Sequence, residues 1–454
     1  MCPFAARRGG RAYGRIQPKM RQEPIKPAPA SGRLGVLIVG MGSLSTALIA
    51  GVLAVRRNLG KPIGSLTQMG QLPGPSGQPD SVPFGEAVPL AGLADLAFGG
   101  WDVVSDDAYS AAKKARVLED GLLALLKSEL ESIRPWRGIF DPRYLRRIEA
   151  THSRPPMGWL GSVEEVVKDI HRFREASGAE RLVLLNCAST ETYQELAPVH
   201  HELRSFEKGL REDDERISPA MIYTYAALKE RIPVVNCTPS RGADIPALLE
   251  MSEELRVPVA GRDLKTGQTL LKTILAPGLK VRALGLAGWY STNILGNRDG
   301  EVLDDPASLK SKQESKLSVL RGILQPSQYP DLYGDFVHQV RIDYYPPRKD
   351  NKEAWDNIDI FGWLGYPMQI KVNFLCRDSI LAAPLALDLV LWTDLAQRSG
   401  LRGAQEWLSL YFKSPTVRNG QPVHDLFAQR QALDEAVQRI AGWARGNGKR
   451  GRHL

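Results

Sequence analysis

The chain has 454 residues, 43% hydrophobic and 24% charged, which is ordinary usage for a globular protein with ample material for a core. That excludes a wholly disordered chain. Four cysteines without a CxxC pair exclude a disulfide scaffold and point to a reducing, cytoplasmic compartment. The net charge of +8 belongs to the ends: residues 1–33 carry +7 and the tail adds Lys449, Arg450 and Arg452. The slightly acidic body has no basic stripe for phosphate backbones, so no nucleic-acid partner is expected.

Residues 1–33, rich in Arg, Pro and Gly, are expected to form a disordered basic leader. Leu34–Val55 is uncharged and long enough to span a bilayer. It divides, however, into a strand (LGVLIV), a glycine turn and a helix (STALIAGVLAV). No second long apolar run is seen after it, so no membrane partner is expected. Gly70–Pro83 reads as a Pro/Gly-rich loop. His200–His201 sits among polar residues and reads as surface. RLVLLN (Arg181–Asn186), IPVVN (Ile232–Asn236) and VPVAG (Val257–Gly261) read as buried strands. Helices lie between them, one opening with Ser218 as N-cap and Pro219 at N1. This βαβ rhythm predicts a parallel, doubly wound α/β sheet, a Rossmann-like domain over 34–265. Longer strands follow in VRALGLAGWY, FVHQVRIDYYP, IDIFGWLG and MQIKVNFLC, with Val340, Ile342 and Tyr344 facing one way. They predict an inserted α+β domain over 266–378 with an open sheet. Helices from about Ile380 to Arg398 and from His424 to Arg445 need a sheet face to cover. The segment 379–445 is therefore expected to return to the first domain, ahead of a basic tail at 446–454.

Three groups could carry chemistry. The turn GMGSLST (Gly40–Thr46) lies between strand and helix, where glycines let a pyrophosphate approach a helix N-terminus. No Asp or Glu occurs between Leu34 and Pro79 to hold a ribose, which leaves Asp102 in FGGWD as the candidate. In SLKSKQESK, Lys312 and Lys316 share a helical face, a repulsion of about 0.2–0.5 kcal/mol that an anionic ligand would reverse. Lys352 could join them around a phosphate or a developing oxyanion. The third group is Asp263, Asn293, Asp299, Asp350 and Asp378, at strand or turn ends where such residues also form ordinary turns. The histidines show no metal-ligand spacing, and no nucleophile elbow is present.

Together with GSLTQ (Gly64–Gln68), NCASTE (Asn186–Glu191), NCTPS (Asn236–Ser240), GRDLKTGQT (Gly261–Thr269), NILGNRDG, SKQESK, KDNK, CRDS and APLALDLV, these segments resemble the myo-inositol-1-phosphate synthases over nearly the whole chain beyond residue 33. The resemblance implies an enzyme, usually a tetramer, that keeps NAD bound and converts glucose 6-phosphate to inositol phosphate. It does so by oxidation at C5, enolisation, intramolecular aldol closure and reduction. It further implies Lys312 in proton transfer at C5, with Lys316 and Lys352 on the phosphate and the oxyanions. Asn293 would meet substrate oxygens. Asp299 and Asp350 would sit by the nicotinamide or a monovalent or divalent cation, and Asp263 and Asp378 in the cofactor and proton network. Gly40, Gly42, Ser43, Leu44, Asp102, Ser189, Thr190 and Ser379 would be NAD contacts. The family's late NKQR motif stands here as FAQR, with Ala428 in place of a lysine expected to be catalytic. Two further readings follow from that departure: an enzyme acting on another sugar phosphate, or a binding protein that has lost catalysis.

Overall fold

Leu34–Val39 carries only aliphatic side chains and glycine, and in the computed structural model all six residues are buried at the centre of a sheet. The structure describes residues 27–74, 80–303 and 319–442, without the side chains of Arg298, Asp299 and Leu303. The sheet consists of β1 (Arg33–Val39), β2 (Leu96–Asp102), β3 (Trp136–Arg137), β4 (Ala179–Asn186), β5 (Val234–Asn236), β6 (Pro258–Gly261) and, from near the end of the chain, a further strand at Gly403–Ala404. It is parallel throughout, in the order 403–404, β6, β5, β4, β1, β2, β3. Strand order thus reverses on either side of β1, which opens a crevice at the carboxyl ends of β1 and β4. Helix α1 (Ser43–Arg56) follows β1 at that point. One core, including Leu48, Leu53 and Trp392, covers one face of the sheet, and a second, including Phe173, Met221 and Leu248, covers the other.

The second sheet is mixed. β7 (Gly285–Leu295) pairs in parallel with β8 (Val337–Tyr344) and antiparallel with β9 (Asn351–Phe361), which continues through a tight turn into β10 (Pro367–Arg377). Helix α2 (Gly267–Val281) packs against it, over a third core built on Trp289, Leu320, Phe336 and Ile358. From β10 the chain passes directly into α3 (Asp378–Arg398), which lies in the core of the first sheet beside α1.

Several expectations need correction. Among the described residues α3 is long and apolar enough to cross a membrane, so a second long apolar run does follow the first. It carries Asp388, Asp394 and Pro384, which mask it as a run, and 78% of its apolar window is buried inside the protein. His200 is fully buried: its Nδ1 accepts from the Ala197 N–H at 3.0 Å and its Nε2 meets the Arg216 carbonyl at 2.8 Å. The leader is ordered at its end, where Ala28 donates to the Arg398 carbonyl, Arg181 holds the Ser31 carbonyl and Arg33 opens β1. Residues 1–26 and the basic tail lie outside the described residues. KDNK runs into a strand that was not expected there, because Asn351 and Lys352 open β9. In IDIFGWLG the strand stops at Phe361, and Gly362 to Gly365 make the turn. The Gly70–Pro83 loop contains a two-stranded pair, 71–72 with 82–83.

Candidate functional site

The turn after β1 has two glycines with different jobs. Gly40 has φ +86°, and a Cβ there would come within 2.6 Å of the Ala188 backbone, so the left-handed turn and the close neighbour both require glycine. At Gly42 a Cβ would meet nothing within 4 Å, because the residue faces open space. That space is a cavity of about 540 Å³ between the two parts of the chain. Gly42 is the N-cap of α1. No side chain caps this terminus and no acid sits in its first turn, so its N–H groups and positive end are left to an anion. The hydroxyls of Ser45 and Thr46 turn back onto the Gly40 and Gly42 carbonyls and fix the turn.

Of the residues expected to bind a cofactor, Gly42, Ser43, Leu44, Asp102, Ser189, Thr190, Asp263 and Ser379 line this cavity. Gly40 lines a smaller one of about 90 Å³ beneath the turn, which it shares with Gly42, Asp102, Ser189 and the buried Glu191. Asp102 also supports the turn. Its Oδ2 accepts from the Met41 N–H at 2.6 Å and its Oδ1 from the Val104 N–H at 2.8 Å, so it braces the glycine turn from β2. Asp350 is buried behind the cavity, where it accepts from Asn297 Nδ2 at 3.0 Å and Ser379 Oγ at 2.9 Å. Burial raises its pKa.

The far end of the cavity is built by segments that flank the second sheet: Gly296 and Asn297 after β7, Lys349 before β9 and Asp378 after β10. Burial alternates along β9, which puts Lys352 on the covered face with Ala354 and Asp356. Lys352 Nζ lies 3.3 Å from Asp378 Oδ1, and Thr266 Oγ1 donates to the same oxygen at 2.9 Å. Asp378 lines the cavity, whereas Lys352 lies behind it. Asn293, opposite Ala354 on β7, is buried beneath α2. It donates to Gln268 and is not part of the cavity lining, and its Oδ1 has no partner among the described residues. Lys312 and Lys316 lie outside the described residues. So does the side chain of Asp299, whose backbone belongs to the helix Arg298–Leu303.

Lys413 was missed as a site residue. It lines the cavity, is nearly completely buried, and its Nζ sits 2.8 Å from Asp263 Oδ1. The only signal in the sequence is a lysine set in the apolar run SLYFKSP. Its partner lies 150 residues earlier, and spacing cannot show the pair. Ala428, by contrast, is exposed in the first turn of the helix Leu426–Ile440 and does not line the cavity. Its neighbour Gln429 points inward to Lys265, a buried lysine that desolvation brings down to about 7. Arg430 is tied to Asp434 and the Gln71 carbonyl. Among the described residues, no group of three His, Cys, Asp or Glu could hold a metal ion.

A family profile described as myo-inositol-1-phosphate synthase matches residues 34–438. Inositol-3-phosphate synthase 1 of Bacteroides thetaiotaomicron is 52% identical over 93% of this chain and 98% of its own length. The Rattus norvegicus protein of the same name is 32% identical, covering 94% and 82%. The crystal structure of inositol-3-phosphate synthase from Caenorhabditis elegans superposes with a TM-score of 0.83 at 27% identity, over 92% of this chain and 86% of that one. An uncapped helix terminus facing open space, a far end closed by segments flanking the second sheet, and sequence likeness across both parts lead to one conclusion: the chain belongs to the myo-inositol-1-phosphate synthase family.

Proposed function

We propose that this cavity binds NAD across the N-terminus of α1 and that the chain converts glucose 6-phosphate to myo-inositol phosphate at the cavity's far end. One observation carries the reading. A single cavity joins the Gly42 space, where a side chain would block a pyrophosphate, to the Lys413–Asp263 pair and to Asp378 with its partner Lys352. Bound NAD supplies a hydride acceptor for C5 of the sugar and later returns the hydride. The chain's own residues do the rest. Lys413, held by Asp263 and shielded from water, presents an ammonium group to a developing oxyanion. Asp378, flanked by Lys352 and Thr266, is placed to orient a sugar hydroxyl. The resemblance assigns Lys312 and Lys316 to proton transfer and phosphate binding.

The outward face of the second sheet supports an oligomer. Val337, Trp355 and Leu375 project from it, and the β9–β10 turn carries Trp363, Leu364 and Tyr366, all exposed. A reducing, cytoplasmic setting suits the free thiols of Cys187, Cys237 and Cys376. The test is direct: purified protein with NAD and glucose 6-phosphate, the product identified by NMR. Inositol phosphate without net NADH is expected. Accumulating NADH, or turnover of another sugar phosphate alone, would overturn the reading.

A further inference from the structure

The cavity runs to both sides of α1, and its two ends are chemically unlike. One end, beyond β5 and β6, holds Thr266, Asp263, Asp378 and Lys413. The other lies beyond β2 and is lined by Asp102, Val104, Asp106, Lys114 and Arg116. Resting on the placement of NAD proposed above, the nicotinamide must lie at the end with the reacting lysine, so the adenosine lies at the end beyond β2. An acid there normally accepts from the ribose hydroxyls, whereas basic residues there receive the 2′-phosphate of NADP.

Asp102 was the expected acid, and each of its oxygens accepts one backbone N–H group, which fixes it against the glycine turn. Asp106, four residues on, is the other carboxylate lining that end. Both its oxygens lie 2.7 Å from Lys114 Nζ, and its side chain is 23% exposed against 68% for the lysine. So open an ion pair is weak and exchangeable, and the carboxylate keeps lone pairs for a ribose. Arg116 ends the helix Ala108–Ala115 in a left-handed conformation, which brings it to the cavity. No ion pair engages it among the described residues.

We infer that Asp106 selects NAD over NADP. It accepts from the adenosine ribose and, by neutralising Lys114, keeps Lys114 and Arg116 from forming a 2′-phosphate site. Asp107, not Asp106, caps the adjoining helix through the Ser110 N–H, so replacing Asp106 leaves that helix its start.

The experiment is a binding titration of the full chain, stripped of nucleotide, with NADH and with NADPH, followed by nicotinamide fluorescence. Wild type should prefer NADH by at least about tenfold. Asp106→Ala should weaken NADH and tighten NADPH by about tenfold each, the scale of one charge-assisted contact. Asp106→Asn, which keeps the shape, should move the ratio the same way. Adding Lys114→Ala to Asp106→Ala should cancel the gain in NADPH. Equal binding of the two nucleotides by wild type overturns the inference. So does an unchanged ratio in both Asp106 variants while Gly42→Val still abolishes NADH binding. If Gly42→Val binds NADH normally, the placement of the cofactor fails and the inference falls with it.

Discussion

Lys413 and Ala428 lie fifteen positions apart in sequence and take opposite places in the structure, one in the cavity wall and one on the surface. Lys413→Met, similar in shape but without the donor, is expected to lower turnover by about 10²–10³ while NADH binding persists. Ala428→Lys is expected to leave turnover within about twofold, as befits a surface change. Steady-state rates and an NADH titration on both variants decide, and a large gain from Ala428→Lys would establish the missing-lysine reading instead. Glu191 offers a test in another currency. Its Oε1 accepts from the Ala220 N–H at the start of the helix Pro219–Lys229, and burial lifts its pKa from 4.5 to about 7. Between those values the folded chain holds a proton that the unfolded chain has released, so stability falls as pH rises through that window. The full cost, on the order of 3 kcal/mol, is present above pH 7. Glu191→Gln keeps the acceptor and removes the charge. Its melting temperature should match wild type near pH 4.5 and exceed it at pH 8; a difference independent of pH would exclude this origin. Residues such as Gly42, Ser189 and Asp378 were legible because they sit in motifs at strand ends. Lys413, Asp106 and Arg116, which also line the cavity, were not, because only the tertiary fold brings them there.

At the scale of elements, α3 does more than cover a sheet. Asp388, buried near its middle, accepts from Ser65 Oγ at 2.5 Å, from the N–H groups of Leu66 and Thr67, from Thr67 Oγ1 and from the Tyr411 hydroxyl. The GSLTQ segment is thus folded onto the helix by one carboxylate, whose pKa burial raises despite these donors. Asp388→Ala strips several buried donors of their acceptor at once and should cost about 3–5 kcal/mol, read as the shift of a denaturant midpoint. A loss under about 1 kcal/mol would mean that the segment finds other partners. GSLTQ and APLALDLV could each be read as segments, but the bond between them spans 323 residues and has no local trace. In the first sheet β1, β4, β5 and β6 were legible because burial on both faces makes them continuously apolar, whereas β2, with two glycines, and the two-residue β3 were not. The start of β9 was not: Asn351, Lys352 and Glu353 are poor strand formers, held there by pairing with Arg377, Cys376 and Leu375. His200 was misplaced for a similar reason, since its polar partners are backbone atoms that composition does not show.

For the whole molecule, the open face of the second sheet and the Trp363–Tyr366 turn predict self-association. Light scattering should give a mass above that of one chain. Trp363→Asp with Tyr366→Asp should shift it toward the monomer, and an unchanged mass would place the interface elsewhere. The change in strand length after residue 266 was legible; the closing strand at Gly403–Ala404 was too short to show a pattern. That strand and α3 have a consequence for synthesis. The first sheet lacks its last strand and much of one covering layer until the ribosome has passed residue 404, although β6 is complete at Gly261. At about 5–20 residues per second, the nascent chain spends roughly 7–30 s with Leu34–Val39 and its neighbours unfinished. Chains arrested before that point should be held by chaperones and cleaved readily. Release should coincide with emergence of the last helices, so the nucleotide site is among the last parts of the protein to mature, although it is encoded first.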